Sequence, residues 1–293
     1  MPGAAGVPLR QLHDHRRGAA RVQGGQRMSG RGPRPGAVAL VTGGTGGFGR
    51  ALTPLLRERG VTVVLTDLDD DRARATAAEL DAHFLPLDVT DPAANVRAAA
   101  QVEAAHGRID VAYLNAGVSA ASIASTLDAE DFARVVAVDL FGVVHGVEAV
   151  RPALRRAGGG AIVVTASLAG LAPMPSDPAY SAAKGGAVAF VRAMAPRLRA
   201  EGITISVLCP GFADTAIIDP FRSAFTAAGF PVLTAGEVAT ALLRAWESAE
   251  AGAAYVVQPG VGTVPYAFRG VPAARTADGA PAAVPGALTG HPG

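Results

Sequence analysis

Short apolar runs with many β-branched residues alternate along the chain with stretches whose apolar positions fall three and four apart. Runs at 37–42, 61–66, 84–87, 109–114, 161–167, 203–208 and 253–257 are apolar on successive positions, the pattern of strands buried on both faces of a parallel sheet. The stretch 50–59 turns Leu52, Leu55 and Leu56 to one helical face. Thr234 and Glu237 form a capping box that opens a helix running to about Ser248. Strand and helix alternate from start to finish, which predicts an α/β fold: a doubly wound parallel sheet with helices on both faces. The pattern fills a single domain over 37–266, with no internal repeat and no separate substrate domain.

A glycine loop ends the first run (Gly43-Gly-Thr-Gly-Gly-Phe-Gly49), and a helix follows at once. In that setting the loop has a chemical use. Backbone without side chains approaches a pyrophosphate, whose charge meets free N–H groups and the positive end of the helix. The structural alternative is a tight turn that needs positive φ. The spacing Gly43-x-x-x-Gly47-x-Gly49 differs from the commoner Gly-x-Gly-x-x-Gly. Asp67 closes the second run, where a dinucleotide-binding Rossmann fold places an acid on the adenosine ribose. A carboxylate there accepts from both ribose hydroxyls and repels a 2′-phosphate. Asp69, Asp70 and Asp71 follow it, the loop has no Lys or Arg, and only Arg72 offers a nearby cation. NAD is therefore expected rather than NADP. A purely structural Asp67 would cap the next helix, a task Asp69 could take instead.

Tyr180 and Lys184 stand four apart, with Ser167 thirteen residues upstream. Positions i and i+4 share a helical face, so phenol and ammonium can enter one site. A phenol titrates near pH ~10 and is a poor acid–base group at neutrality unless its anion is stabilised. A fixed cation beside it moves its proton affinity toward the working range, and a serine hydroxyl can hold the same substrate oxygen. The same spacing also arises by chance on many helices.

With these residues assembled, the chain resembles the short-chain dehydrogenase/reductase family from about residue 37 to residue 258. Gly43, Gly47, Phe48 and Gly49 match the cofactor loop, and Ser167, Tyr180 and Lys184 match the active-site group. Asp88-Val89 is similar to the adenine contact. Asn115-Ala116-Gly117 is similar to the signature that braces the sheet beside the cofactor, and Pro210-Gly211 with Thr215 to the loop that cups the nicotinamide. One position departs from the pattern: Asp139 stands where the family usually has Asn in the helix before the serine strand. In the family that residue bends its helix around a water that links the lysine to solvent protons. A carboxylate would add negative charge near Lys184 and alter the pH profile. The resemblance implies reversible hydride transfer between a secondary alcohol or ketone and the nicotinamide. Tyr180 would carry the proton, Ser167 would orient the substrate oxygen, and Lys184 would favour the phenolate and hold the nicotinamide ribose. It also implies a homodimer or homotetramer formed through the helices carrying Asp139 and Tyr180. A dehydratase or epimerase on the same fold, or a non-catalytic NAD-binding protein, are the competing readings.

Composition adds limits. At 293 residues and 49% apolar, the chain can bury a sizeable core. The segments 171–178 and 216–231 are expected either to close over substrate or to pack on themselves or on a neighbouring subunit. Met174, Ile217, Phe221, Phe225 and Phe230 make them apolar, with only Asp177, Asp219 and Arg222 charged. An apolar alcohol or ketone fits them better than a sugar or an acid. Residues 1–36 hold seven Arg and one Asp among many Gly, and 267–293 is rich in Ala, Pro and Gly; both ends are expected to be disordered. The remainder beyond 36 carries 19 basic against 24 acidic residues, a net charge the near-neutral total hides. The arginine-rich start is expected to be inert, with Met28-Ser29 as an alternative beginning, rather than an arm for nucleic acid or membrane. Cys209 is the only cysteine, so no internal disulfide forms, and the six histidines are scattered; no metal is expected. His145 falls within a predicted helix as a core or interface residue. No run approaches the ~18 apolar residues of a membrane span, and a soluble cytoplasmic protein is expected by default.

Overall fold

The computed structural model describes residues 32–120, 128–248, 250–270, 272, 274–280 and 282. The start at Met28-Ser29 and most of both expected tails lie outside the described residues. Seven strands run parallel: β1 (Val38–Thr42), β2 (Thr62–Asp67), β3 (His83–Pro86), β4 (Val111–Leu114), β5 (Gly160–Thr165), β6 (Ile203–Pro210) and β7 (Ala254–Gln258). An eighth, β8 (Gly262–Pro265), pairs antiparallel with β7 and was not legible in the sequence. The order across the sheet is β3-β2-β1-β4-β5-β6-β7-β8. β1 therefore pairs with β2 on one side and β4 on the other, and the connections leave in opposite directions from that point. A crevice opens there at the carboxyl ends of the strands, the ligand position of doubly wound sheets.

The helices are α1 (Gly47–Arg57), α2 (Asp71–Glu79), α3 (Pro92–His106), α4 (Ala129–Val136), α5 (Gly142–Arg156), α6 (Pro178–Ala200), α7 (Arg222–Ala228) and α8 (Ala235–Ser248). Their apolar faces build two cores, one on each side of the sheet. Leu52 and Leu56 of α1 and Trp246 of α8 pack with Val41, Leu65 and Val163. On the other face, Val147 of α5 and Val191 of α6 pack with Leu114, Ile162 and Ile205. Adjacent strand positions thus serve opposite cores, so every residue of β1, β5 and β6 is buried. No helix among the described residues is long and apolar enough to cross a membrane.

Capping fixes where helices begin. Thr234 and Glu237 form the expected box: the Thr234 amide donates to Glu237 Oε2 at 2.8 Å and the Glu237 amide to Thr234 Oγ1 at 3.2 Å. Asp70, not Asp69 or Asp67, caps α2, accepting from the Ala73 amide at 2.6 Å. Two expected tail boundaries shift. Residues 32–36 are bound to the domain: Arg34 pairs with buried Asp110 at 2.7 Å and the Gly36 amide donates to the Gly60 carbonyl at 2.9 Å. Beyond β8, the Phe268 ring lies under the Arg192 guanidinium of α6, 3.7 Å from its centroid.

Candidate active site

The glycine loop lies at the mouth of this crevice. Gly43 adopts φ +59°, and a methyl on it would stand 2.7 Å from Ala116 Cα; one on Gly49 would stand 2.2 Å from the Gly44 carbonyl oxygen. Side chains are excluded at both places. Gly46 precedes α1 as its N-cap without a side chain, and the first turn holds no acidic residue, which leaves the leading amides available to an anion. Asp67 Oδ2 accepts from the Thr45 amide at 3.2 Å and its hydroxyl at 2.6 Å, and Oδ1 accepts from the Leu68 amide at 3.0 Å. The carboxylate is thereby held beside the glycine loop. Leu68 is 61% exposed at the end of β2, offering an apolar face next to it. Asp88 accepts from the Thr90 amide and hydroxyl at the end of β3, while Val89 is buried against Gly142. These residues fit a dinucleotide, with a bare turn for phosphates, a fixed acid for ribose and an apolar rim.

Asn115 ties three strands together. Its amide and that of Ala116 donate to Thr42 Oγ1 at 2.9 and 3.1 Å, its Nδ2 donates to the Gly43 carbonyl at 3.3 Å, and Thr165 Oγ1 donates to its Oδ1 at 3.0 Å. Gly117 then passes over Lys184 so closely that a methyl would stand 3.0 Å from Nζ. On the far side of the crevice, Gly211 follows β6, its amide on the Val257 carbonyl at 2.9 Å, and the Thr215 methyl reaches back to within 3.0 Å of where a Gly47 side chain would begin.

Asp139 lies in a π-helical turn, Ala137–Phe141, between α4 and α5; the Gly142 amide donates to the carbonyl of Ala137, five residues back. The widened turn places Asp139 wholly inside the protein. Its Oδ1 accepts from the Val118 amide at 2.8 Å and its Oδ2 lies 3.1 Å from Lys184 Nζ. Lys184, itself buried, also donates to the Thr165 carbonyl at 3.0 Å, and its Nζ stands 5.5 Å from the centre of the Tyr180 ring. Asp177 caps α6, accepting from the Tyr180 amide at 2.9 Å. That cap fixes the turn from which Tyr180 and Lys184 project to one side. Ser167, just beyond β5, accepts from the Ala169 amide at 3.1 Å and lines the same cavity as Tyr180.

Burial pushes the Tyr180 phenol above its ordinary value; Lys184 opposes the rise, Asp139 adds to it, and the Ser167 hydroxyl opposes it. The lysine acts in the direction expected from sequence but is outweighed. Desolvation works against the Lys184 ammonium, yet Asp139 and Tyr180 together raise its affinity for the proton. Burial also raises Asp139, against the pull of Lys184 and the Val118 amide. Burial lifts the nearby Cys209 thiol to about 12, which leaves it protonated and inert.

A cavity of about 300 Å³ opens in front of Ser167 and Tyr180. Met174, Ile217, Pro210 and Gly211 line it. Phe225 and Phe230 do not; they pack on Phe212, which does, with ring centres 4.7 and 5.8 Å away. The side chain of Phe221 lies outside the described residues. Arg222 is turned onto Asp214 and Asp219 at 2.6 and 2.8 Å. His145 is half-buried, its Nδ1 3.2 Å from the Val89 carbonyl oxygen, with its ring stacked on Phe141. Sequence reasoning missed Thr42, Thr45 and Thr165, which hold the candidate residues rather than reach into the cavity. It also placed Asp177 only among the lid charges, although Asp before Pro at a helix start signals a cap.

The short chain dehydrogenase family model matches residues 37–224. The 2-dehydro-3-deoxy-L-rhamnonate dehydrogenase (NAD(+)) of Sphingomonas sp. (strain SKA58) is 35% identical over 186 residues, covering 63% of this chain and 75% of that protein. The cis-4-hydroxycyclohexanecarboxylate dehydrogenase of Sinomonas cyclohexanicum is 37% identical over 187 residues, covering 62% and 75%. Among solved structures, levodione reductase superposes with a TM-score of 0.70 at 28% identity, over 78% of this chain and 98% of its own. The crevice, the bare phosphate turn and the Ser167–Tyr180–Lys184 group thus occur in a chain whose sequence and topology both place it in the short-chain dehydrogenase family of oxidoreductases.

Proposed function

We propose that this protein is an NAD-dependent dehydrogenase that interconverts a secondary alcohol, apolar around its carbinol carbon, and the corresponding ketone. The observation that carries the reading is Tyr180: it lines an apolar cavity together with Ser167, and its ring centre stands 5.5 Å from the Nζ of a buried ammonium. The nicotinamide supplies hydride acceptance and return when bound. Gly43, Gly47, Phe48 and Gly49 with the first turn of α1 would hold its phosphates, Asp67 its adenosine ribose, Val89 the adenine edge, and Pro210, Gly211 and Thr215 the carboxamide side. Asp88 ends the third strand beside them. In oxidation Tyr180 accepts the hydroxyl proton at its phenol oxygen. Ser167 holds the substrate oxygen and steadies the negative charge that develops on it. Lys184 favours the phenolate and is itself placed by Asp139 and the Thr165 carbonyl. Asn115, Ala116 and Gly117 keep the strand ends in register behind this group. The carboxylate of Asp67, with Asp69 and Asp70 following, supports NAD over NADP, because a 2′-phosphate there would face negative charge. Phe141, 51% exposed on the element carrying Asp139, supports self-association through that helix.

The test follows reduced-nicotinamide absorbance with NAD or NADP and a series of secondary alcohols of graded chain length. Turnover with NAD is expected. Quenching of NADH fluorescence on binding, without turnover of any alcohol or ketone, would instead make the protein a nucleotide-binding module.

A further inference from the structure

We infer that the cavity accepts uncharged alcohols and ketones and excludes substrates bearing a carboxylate; this rests on the dehydrogenase reading above. The inference comes from the balance of charge around the cavity. Asp177 lines it and is 3% exposed, with Oδ1 on the Tyr180 amide and Oδ2 on the Ala120 amide, both at 2.9 Å. The cation of the site, Lys184, is matched by Asp139 at 3.1 Å. Asp177 is the only charged side chain among the described residues that line the cavity, and Lys184 behind the wall is already paired, so the wall itself carries a negative charge.

No other cation compensates among the described residues. Two arginines reach segments that form the wall, and both are committed. Arg134 donates to the Ser119 carbonyl at 2.8 Å but pairs with Asp131 at 2.5 Å, and Arg222 is held by Asp214 and Asp219. A carboxylate entering this space would lose its water, find no donor of opposite charge and face Asp177 in a medium of low dielectric. Like charges so placed cost several kcal/mol, roughly a hundredfold or more in binding.

The experiment uses the full chain saturated with NADH and two matched pairs of probes: 4-methylcyclohexanone against 4-oxocyclohexanecarboxylate, and 2-octanone against 7-oxooctanoate. Calorimetric binding and ketone-dependent NADH oxidation are measured side by side. At least one neutral ketone is expected to bind roughly a hundredfold more tightly than its carboxylate partner. Carboxylates that bind within tenfold of their partners, or no binding by any of the four, would overturn the inference. Selective binding of the neutral ketone without NADH oxidation would leave the inference standing and defeat the dehydrogenase reading. In Asp139→Asn the uncancelled ammonium should narrow the preference by roughly tenfold, whereas an unchanged ratio would remove Lys184 and Asp139 from the explanation.

Discussion

Asp139 and Lys184 form a buried ion pair, Oδ2 to Nζ at 3.1 Å, with side-chain exposures of 0% and 3%. The family resemblance leads one to expect an amide at 139, and replacing it with a charge changes what Lys184 can do. An ammonium beside an amide acts on Tyr180 with its full charge, whereas an ammonium beside a carboxylate acts as half of a dipole. Around the phenol stand Lys184 on α6, Asp139 on the π turn and Asp177 at the head of α6, with Cys209 of β6 beside Lys184.

Asp139→Asn is therefore expected to move the pH profile of alcohol oxidation. Oxidation needs the Tyr180 phenolate as the proton acceptor, so its rate rises with pH through the Tyr180 titration. Burial sets that titration high, Lys184 lowers it and Asp139 raises it. Removing the negative charge takes away a raising influence, and the rising limb of kcat shifts to lower pH. Asn Oδ1 keeps the bond to the Val118 amide, so the fold tolerates the change. The measurement is kcat against pH for both proteins with NAD saturating; a limb that moves to higher pH, or stays in place, contradicts the electrostatic role.

Tyr180→Phe removes the phenol oxygen and leaves the packing of the ring against Val135 and Ala183 in place. General acid–base groups contribute roughly 10²–10⁴-fold, so turnover should fall by at least about a hundredfold. NADH affinity by fluorescence titration should change little, because the glycine loop and Asp67 lie elsewhere in the crevice. A variant retaining half the activity would end the assignment of the proton to Tyr180.

The sheet was legible because continuous apolar runs bounded by glycine have few other uses in a chain of this size. Strand boundaries moved by one or two residues. β8 escaped because Gly262, at φ +77°, precedes only two ladder positions with β-branched side chains, too short a signal beside so many glycines. The carboxyl-end crevice followed from the glycine loop and Asp67. The threonines that fix the site did not, since a hydroxyl bonding to a neighbouring strand has no sequence period. Whether the aromatic residues at 225 and 230 line the cavity or pack on each other stayed open for a related reason. Composition identifies an apolar segment but not which face packs inward, and here Phe212 supplies the better partner. Asp139 was visible as a departure, while its direct contact with Lys184 depends on the π turn, which periodicity does not encode.

Cofactor choice is expected to turn on Asp67 and its clamp. Thr45 gives Asp67 Oδ2 two hydrogen bonds, which aligns the carboxylate at the loop rather than toward solvent. Hydrogen bonds to a charged group are worth about 1.5–3 kcal/mol. Asp67→Ala should therefore lower kcat/KM for NAD by roughly ten- to a hundredfold and raise that for NADP. Thr45→Val, which removes only the hydroxyl bond, should act in the same direction and more weakly. Parallel initial-rate series with both cofactors test this, and equal losses for NAD and NADP in Asp67→Ala would show that the residue only supports the loop.

Away from the crevice, Arg151 of α5 clasps Glu201 at the end of α6, with Nε 3.1 and 2.9 Å from the two carboxylate oxygens and Nη2 also bonded. The Arg151 hydrogen bonds hold the Glu201 carboxyl below its ordinary range, against a smaller effect of burial. A carboxylate depressed on folding contributes stability above its unfolded pKa, and the contribution is lost as pH falls through the folded value. The pair is partly exposed, so solvent screening limits it to about 1 kcal/mol even with forked geometry. Glu201→Gln is expected to lower Tm by about 2–4 °C at neutral pH. The deficit should shrink to nothing as the buffer is taken below the carboxylate range, where the wild-type side chain is also neutral. Thermal melts of both proteins across that range decide it, since a deficit that persisted in acid would point to lost packing and not to charge.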